Sequence, residues 1–268
     1  MYRTQIPLLA WLVPDRASAI VQSMLDDAHQ NGGRLPKWTL ANAETYVMVG
    51  DPAAPIIAGA AAFGARAFDV ADALALLVQQ ATVPSNIRPG VDQYLANGYL
   101  PTDAAYGCCS FIGPVSTTLE YASADFAISR LAASTGTGAD AATAATFRRR
   151  AGAWKHLLQA RDGLFQQKLT SGRFLVGPNP TTTYGYVEGD ALQYAWAVPH
   201  DLGGLINAIG GRAAALARLD RHLAELNTGP ASPYAFMANE VSFGVSWKSS
   251  VRMRRTTSCV REGTPTFT

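Results

Sequence analysis

The chain has 268 residues, of which 48% are apolar, and its formal net charge at pH 7 is +2. This length admits one large domain or two smaller ones, and the apolar share allows a substantial core. The near-neutral body offers no concentrated basic face for nucleic acid, and no run of about 18 apolar residues predicts a transmembrane helix. Three cysteines, of which Cys108 and Cys109 are adjacent, predict neither a disulfide framework nor a zinc site.

Helical periodicity dominates the first quarter of the chain. Pro14 interrupts the apolar opening segment MYRTQIPLLAWLVP and no small-residue cleavage site follows, so we predict a core segment and no signal peptide. Apolar residues then recur at helical spacing over residues 20–28, and residues 31–33, Asn-Gly-Gly, supply a stop. Asp51-Pro52 predicts an N-cap and a first helical proline at the start of a second helix.

Further helical patterns follow along the rest of the chain. Residues 117–120, Thr-Thr-Leu-Glu, fit a capping box and predict a helix that reaches about Ala133. An apolar stripe at helical spacing runs from Phe147 to Leu158, and two more flank residues 210–211, Gly-Gly. Strand-like alternation is scarce, and the pattern predicts an all-α array of antiparallel helices. Loops rich in glycine, proline and polar residues separate the helices at residues 32–38, 97–114 and 169–186.

The composition changes after Trp247. Residues 248–268 contain five of the 22 basic residues, one acidic residue and no helical stripe. We therefore predict one domain over residues 1–247 and a basic, disordered tail over residues 248–268.

Titratable and aromatic side chains are concentrated in YVEGDALQYAWAVPHD, residues 186–201. This stretch holds Glu188, Asp190 and Asp201, and a second aromatic-rich stretch near the end of the chain holds Glu240. Sugars present hydroxyl groups to carboxylates and an apolar C–H face to aromatic rings, and cleavage of a glycosidic bond requires a proton donor and a base. An apolar environment raises the pKa of one carboxyl group and keeps it protonated as the acid. The pattern thus favours a carbohydrate site.

Structural roles compete with these functional ones. Asp201 is also a candidate N-cap for the helix that contains Leu205, and this role is compatible with ligand contact. Trp196 and Tyr194 fit a helical core as well as a sugar-binding platform. His200 has no second histidine at a metal-ligand spacing, so a structural hydrogen bond is its default role.

Seven segments spread over residues 2–247 match a family pattern in the same order. The segments are YRTQIPLL, GGRLPKWTLANAETYVMVGD, FGARAFD, VSTTLEYASADFAISRLA, YVEGDALQYAWAVPHDLGGLINAIGG, RLD and NEVSFGVSW. On these segments the chain resembles the calcium-dependent α-mannosidases of glycoside hydrolase family 92. The resemblance implies part of an (α/α)6 barrel and the inverting hydrolysis of terminal α-linked mannose.

The resemblance also implies roles for individual residues. The glutamate of the Val-Glu-Gly segment is the family's general acid, and this position is Glu188. The Asn-Glu pair of the sugar-binding region, which influences linkage preference, falls on Asn239 and Glu240. Members that cut α-1,2 links tend to have His-Glu there, so Asn239 favours another linkage or a broader preference.

Four more positions match the family's active cleft and are implied to bind substrate: His200, Asp201, Gln193 and Trp38. Calcium is the implied cofactor, with Glu240 as a candidate ligand and the other ligands unassigned. The implied partners are α-mannoside glycans, and we expect no nucleic acid or membrane partner. Family members are commonly secreted, periplasmic or displayed at the cell surface.

The chain also departs from the family pattern. The aspartate base of the family lies in a Gly-Asn-Asp-Asp-Gly-like segment that has no counterpart here, and the Trp-Asp-Thr segment expected before Tyr2 is absent. No segment matches the family's N-terminal β-sandwich domain. We therefore expect the middle of a larger enzyme, with little or no turnover. The alternatives are a non-catalytic mannose-binding remnant and a helical scaffold with an exposed apolar patch.

Overall fold

The computed structural model describes residues 2–106, 113–177, 179–237, 242 and 245. Within these ranges the regular structure is mostly helical, which confirms the all-α class. The strands are short antiparallel pairs, with β1 (Thr39–Leu40) beside β2 (Ala43–Glu44) and β3 (Leu158–Gln159) beside β4 (Leu164–Phe165). The α-helices are α1 (Gln5–Leu12), α2 (Pro14–Gln30), α3 (Ala53–Ala62), α4 (Val70–Gln80), α5 (Val91–Asn97), α6 (Pro114–Thr135), α7 (Gly138–Arg150), α8 (Ala191–Tyr194), α9 (Leu202–Ala208) and α10 (Gly211–His222).

Helix α6 is the central element because it contributes to both of the larger apolar cores. The first core lies among α2, α3, α4 and the second half of α6. The second core packs the start of α6 against α8, α9, α10 and the β3–β4 hairpin. Only residues 136–137 separate α6 from α7, so the two helices fold back on each other as an antiparallel hairpin. Gly136 permits this turn because its φ of +75° is left-handed.

The predicted cap at Asp51 is wrong. Helix α3 begins at Ala53 with Pro52 at the N-cap position and no side-chain cap. The Asp51 carboxylate is instead buried, where it accepts a hydrogen bond of 2.9 Å from Gln80 and lies 3.5 Å from the Arg88 guanidinium. A buried carboxylate needs a charged or hydrogen-bonding partner, and this requirement overrides local capping.

The predicted capping box of α6 is also wrong, although the helix itself is confirmed. The helix begins at Pro114, and the Thr118 hydroxyl lies a turn inside it, where it donates to the Pro114 carbonyl over 2.7 Å. Glu120 does not reach back to the helix start, because its carboxylate accepts hydrogen bonds from Tyr2 and Arg3. A long-range ion pair has taken the place of the local cap.

The other helical predictions are partly confirmed. Residues 147–158 do not form one helix: α7 ends at Arg150, a 3-10 turn covers Ala153–His156, and β3 begins at Leu158. Helices α9 and α10 flank Gly210 as predicted. Helix α1 contributes only one face to the core, since Ile6 and Ala10 are buried whereas Leu8, Trp11 and Leu12 are 52%, 68% and 60% exposed. Across the described residues, no helix combines the length and apolar character needed to cross a bilayer.

A buried charged cluster ties α6 and α7 to the loop before α5. Arg88 donates to Asp125 over 2.8 Å, and Arg150 donates to the same carboxylate over 2.8 Å. Arg88 and Asp125 are fully buried, and the Asp51 carboxylate lies 3.5 Å from Arg88 Nε. Burial raises the pKa of Asp51 against the opposing effect of Arg88. The cluster fixes the end of the loop that precedes α3.

Candidate functional site

Two loops line a common cleft of about 310 Å³. The Trp38 loop comprises residues 32–50, and the Glu188 loop comprises residues 185–190. Apolar residues of α1 and α2, including Ile6 and Met24, complete the wall. The volume and the mixture of apolar walls with a few polar groups are typical of small-molecule sites, which hold about 300–1,000 Å³.

A single carboxylate shapes the Trp38 loop. Glu44 accepts hydrogen bonds from the backbone N–H groups of Lys37 at 2.7 Å, Trp38 at 3.1 Å and Tyr46 at 2.8 Å. Tyr46 and Met48 have left-handed φ values of +58° and +69°. Such conformations cost about 1–3 kcal/mol each in non-glycine residues and are concentrated at functional sites. The loop leaves the Trp38 side chain 48% exposed at the cleft.

Lys37 places a cation near the base of the Trp38 loop. Its ammonium group donates to the Ile87 carbonyl over 3.2 Å. Burial lowers the pKa of Lys37 to about 8, although the charges of Asp51 and Glu44 act in the opposite direction. Lys37 therefore links this loop to the loop that carries Arg88.

The Glu188 loop holds its glutamate in an unusual conformation. Glu188 is exposed at the cleft and has a φ of +52°. The preceding residue is held on both sides, because the Val187 N–H donates to Ser116 Oγ over 3.1 Å and its carbonyl accepts from the Tyr194 hydroxyl over 2.8 Å. A non-glycine residue in this conformation is one that its surroundings impose. The fold thus presents Glu188 to the cleft.

Asp190 closes the Glu188 loop. Its carboxylate is the N-cap of α8 and accepts from the N–H groups of Leu192 at 2.9 Å and Gln193 at 3.0 Å. Burial raises the pKa of Asp190 to about 6, although these backbone hydrogen bonds act in the opposite direction. Asp190 therefore anchors the loop and does not point its hydrogen-bonded oxygen at a ligand.

Tyr2, Arg3 and Glu120 also line the cleft. The Tyr2 hydroxyl donates to one oxygen of Glu120 over 2.6 Å, and the Arg3 guanidinium binds the other oxygen. Arg3 also lies over the Tyr2 ring, 4.4 Å from its centroid. Sequence patterns alone indicate no functional role for these residues. The available signal was the position of Tyr2-Arg3 at the start of the first matching segment.

A second pocket of about 540 Å³ adjoins the cleft and shares these three residues. His200 lies on its wall and has hydrogen-bonding contacts at both ring nitrogens, with Ser123 Oγ at 3.1 Å and the Ala151 carbonyl at 2.9 Å. Burial lowers the pKa of His200 and favours the neutral ring. The predicted structural hydrogen bonds of His200 are present.

The remaining predicted residues mostly have structural contacts. Asp201 accepts from the Gly204 N–H over 3.1 Å and caps α9, as predicted. Gln193 is fully buried, and its amide nitrogen donates to backbone carbonyls of residues 229, 232 and 234 at 2.8, 3.3 and 3.1 Å. Trp196 and Tyr194 are core residues, each 1% exposed. Of the three carboxylates in residues 186–201, Glu188 lines the cleft, and Asp190 and Asp201 cap helices.

Asn239 and Glu240 lie outside the described residues. In the part of the chain that the structure describes, no group of three or more His, Cys, Asp or Glu side chains could hold a metal ion. The described residues therefore supply no cluster of three carboxylates for a calcium ion.

The cleft provides one half of the chemistry that glycoside cleavage needs. An exposed carboxyl group at Glu188 can exchange a proton with a bound molecule, and the exposed indole of Trp38 gives an apolar face in the same cleft. The second carboxylate among the described residues lining the cleft, Glu120, is bound by Arg3 and Tyr2.

Comparison with protein families matches residues 1–265 to the glycosyl hydrolase family 92 catalytic domain. A family 92 α-mannosidase from Bacteroides thetaiotaomicron aligns at 26% identity and a TM-score of 0.78, over 90% of this chain and 31% of its own. A family 92 inverting mannosidase from the same species aligns at 25% identity and a TM-score of 0.75, over 91% of this chain and 32% of its own. The chain thus spans about a third of the length of these structures. A comparison with curated proteins finds no match.

Proposed function

The chain belongs to glycosyl hydrolase family 92, and from that premise we propose that it forms part of the catalytic domain of an α-mannosidase. The reaction is the hydrolysis of terminal α-linked mannose with inversion at the anomeric carbon, and the substrates are α-mannoside glycans. Two similar solved structures, one an α-mannosidase and one an inverting mannosidase, support this proposal. The helical fold is consistent with part of the (α/α)6 barrel of this catalytic domain.

The observation that carries the proposal is the placement of Glu188. Its left-handed backbone, the two hydrogen bonds that fix Val187, and its exposure at the cleft together support a role in which the Glu188 carboxyl group faces a molecule bound in the cleft. In the proposed step, Glu188 donates its proton to the glycosidic oxygen as the bond from that oxygen to the anomeric carbon breaks. Water attacks the same carbon from the opposite face and loses a proton to a base.

The base of this reaction is the part that the described residues do not supply. In inverting enzymes the acid and base carboxyl groups lie about 6.5–9.5 Å apart, which leaves room for the attacking water. Glu120 is committed to Arg3 and Tyr2, so it is a poor base. We therefore expect little or no turnover from the described residues by themselves.

The other residues have supporting roles in the proposal. Trp38 offers its ring to the sugar, and Arg3 with Glu120 forms a polar wall beside it. Asn239 and Glu240 contribute to linkage preference, and His200, Asp201 and Gln193 shape the surroundings of the cleft through the hydrogen bonds described above. Calcium remains part of the proposal through the family alone, with Glu240 as a candidate ligand.

The test is mannose release from α-mannobioside by the chain and by Glu188→Gln, with and without calcium. The proposal predicts that any turnover disappears in Glu188→Gln, and that proton NMR of the first product shows β-mannose. A Glu225→Gln variant, changed at an exposed site, is the control. Turnover that survives in Glu188→Gln contradicts the acid role. Rapid turnover by the unaltered chain contradicts the expectation of low activity.

A second function, mannose binding without cleavage, is favoured by the half-exposed Trp38 beside polar groups in one cleft. It uses the same residues but needs no base. Binding of mannose without product supports it, and absence of binding at high ligand concentration contradicts it.

A further inference from the structure

We infer that Tyr194 and Ser116 are positioning residues that fix Glu188 at the cleft by holding the two peptide groups of Val187. The inference rests on the proposed function for the reaction that Glu188 serves. The contacts themselves are independent of that reaction.

The Tyr194 hydroxyl is suited to hold a carbonyl and not to react. The side chain is 1% exposed, and its hydroxyl donates to the Val187 carbonyl over 2.8 Å. The pKa of Tyr194 is raised, and burial is the largest cause. The charge of Glu120 also raises this pKa, while the charge of Arg3 lowers it. The hydroxyl therefore keeps its proton and remains a donor at every working pH.

Ser116 holds the other side of the same residue from the start of α6. Its hydroxyl oxygen accepts from the Val187 N–H over 3.1 Å and donates to the Gly113 carbonyl over 3.0 Å. One residue earlier, the Val115 N–H donates to the Gly185 carbonyl over 3.0 Å. The first turn of α6 and the Glu188 loop are thus joined by consecutive hydrogen bonds.

The junction between the first turn of α6 and the Glu188 loop is closely packed. A Cβ atom added to Gly113 would lie 2.6 Å from Ser116 Oγ and 2.6 Å from the Tyr186 carbonyl carbon. The backbone of the Glu188 loop therefore approaches α6 as closely as a glycine allows. Val187 is 6% exposed, so water does not readily replace either hydrogen bond.

The consequence concerns the conformation of Glu188. A glutamate with a φ of +52° relaxes to a more common conformation unless its neighbours prevent it. Rotation there moves the carboxyl group relative to the cleft. A displacement of about 1 Å at a catalytic group can lower a rate by roughly 100-fold.

The experiment compares Tyr194→Phe with Tyr99→Phe in the full 268-residue chain. Both substitutions remove a hydroxyl that donates to a backbone carbonyl over 2.8 Å, to Val187 in one case and Leu169 in the other. Both rings belong to the same apolar core, but Tyr99 is not among the residues that line the cleft. The two variants should therefore lose similar stability, which thermal unfolding measures.

The deciding readout is the Glu188 carboxyl carbon resonance of protein labelled with ¹³C at glutamate Cδ. Its disappearance in Glu188→Gln assigns it. We expect the resonance to move and its pH titration to shift in Tyr194→Phe, with both unchanged in Tyr99→Phe. An unmoved resonance and titration in a folded Tyr194→Phe variant overturn the inference. If Tyr194→Phe does not fold, Ser116→Ala is read in the same way, with Ser129→Ala on the same helix as its control.

Activity gives an additional readout in an enzyme form that turns over. We expect Tyr194→Phe to lower kcat by about 10- to 100-fold with KM nearly unchanged, because the substrate still binds while the proton donor is displaced. A fall in kcat equal to that of Tyr99→Phe contradicts the positioning role. A different result would contradict the proposed function itself, namely turnover that persists in Glu188→Gln.

Discussion

The Trp38 loop and the Glu188 loop line the same cleft, and each contains non-glycine residues in left-handed conformations. They are held by different chemistry. Glu44 organises the Trp38 loop through three backbone N–H groups, and Asp51, next to the loop's end, is buried beside Arg88. The Glu188 loop is held at Val187 by two neutral hydroxyl groups, and its one carboxylate anchor, Asp190, lies at the end of the loop, where it binds backbone N–H groups of α8.

The difference follows from what each loop presents. The Trp38 loop presents an uncharged ring, so acidic anchors nearby do not disturb its function. The Glu188 loop presents a carboxyl group, on which nearby charges act directly. Neutral hydroxyl donors and acceptors fix the backbone next to Glu188 without adding such a charge. Charged anchors are stronger, and therefore their removal has larger effects.

The largest effect is expected where the charged anchor is fully buried. Arg88→Met leaves Asp51 and Asp125 without the guanidinium between them, and loss of one partner from a buried ion pair costs about 3–5 kcal/mol. Urea unfolding measures the change. The control is Arg161→Met, whose guanidinium side chain is 69% exposed beside Asp162 and contributes less than about 1 kcal/mol. Equal losses of unfolding free energy in the two variants would contradict the larger contribution expected of the buried anchor.

The next effect is expected at Glu44. Glu44→Ala removes the acceptor of three backbone donors in a partly exposed loop. We expect the free energy of opening the loop to fall by roughly 2 kcal/mol. Hydrogen exchange should accelerate at the amides of Lys37, Trp38 and Tyr46. The exposed Glu225→Ala variant should leave these rates unchanged. Slow exchange at all three amides in Glu44→Ala would show that the loop has another anchor.

An effect of similar size, but dependent on pH, is expected at Asp190. Burial raises its pKa from 3.8 to about 6, so the folded protein holds this proton more tightly than the unfolded chain does. The stabilisation from this protonation is fully present below pH 3.8 and is lost as the pH rises through about 6.

Asp190→Asn retains an N-cap residue and removes the titration. Relative to the wild-type chain, the variant should gain roughly 2 kcal/mol of unfolding free energy between pH 4 and 7. Urea unfolding at a series of pH values gives this difference. Parallel stability curves for the two proteins would contradict the raised pKa.

The smallest stability change is expected at the neutral anchor. Ser116→Ala should lower the unfolding free energy by about 1 kcal/mol, the typical contribution of a neutral hydrogen bond, and Ser129→Ala should lower it by a similar amount. Both hydroxyl groups belong to α6 and donate to the carbonyl three residues earlier in the chain, but only Ser116 also contacts Val187. A loss in Ser116→Ala as large as that in Arg88→Met would contradict the contrast between the two loops.

Local patterns predicted the features that depend on neighbours in the sequence. Helices α2, α9 and α10 follow from apolar spacing and glycine stops, and the Asp201 cap follows from its place before α9. Glu188 was singled out among carboxylates and aromatic residues, and the family resemblance gave it a role that stays a prediction. These inferences use information within about one or two helical turns.

Features that depend on partners far away in the sequence could not be predicted from local patterns. Asp51 and Glu120 sit where capping rules expect caps, but their partners lie at residues 80 and 88 and at residues 2 and 3. Tertiary ion pairs outweigh a cap of about 1 kcal/mol. The left-handed φ of Glu188 likewise depends on Ser116, which is 71 residues from Val187 in the chain.

The most direct test of the account is the binding of mannoimidazole, which a solved complex of a similar α-mannosidase contains, to the chain and its Trp38→Ala and Glu188→Gln variants. Titration calorimetry measures the affinity, and Glu225→Gln is the control. The account predicts that the unaltered chain and the control bind equally, and that each of the two cleft variants binds at least about 10-fold more weakly, or about 1.4 kcal/mol. Absence of binding by the unaltered chain, or equal affinity in all four proteins, would contradict the assignment of the cleft between Trp38 and Glu188 as the mannoside site.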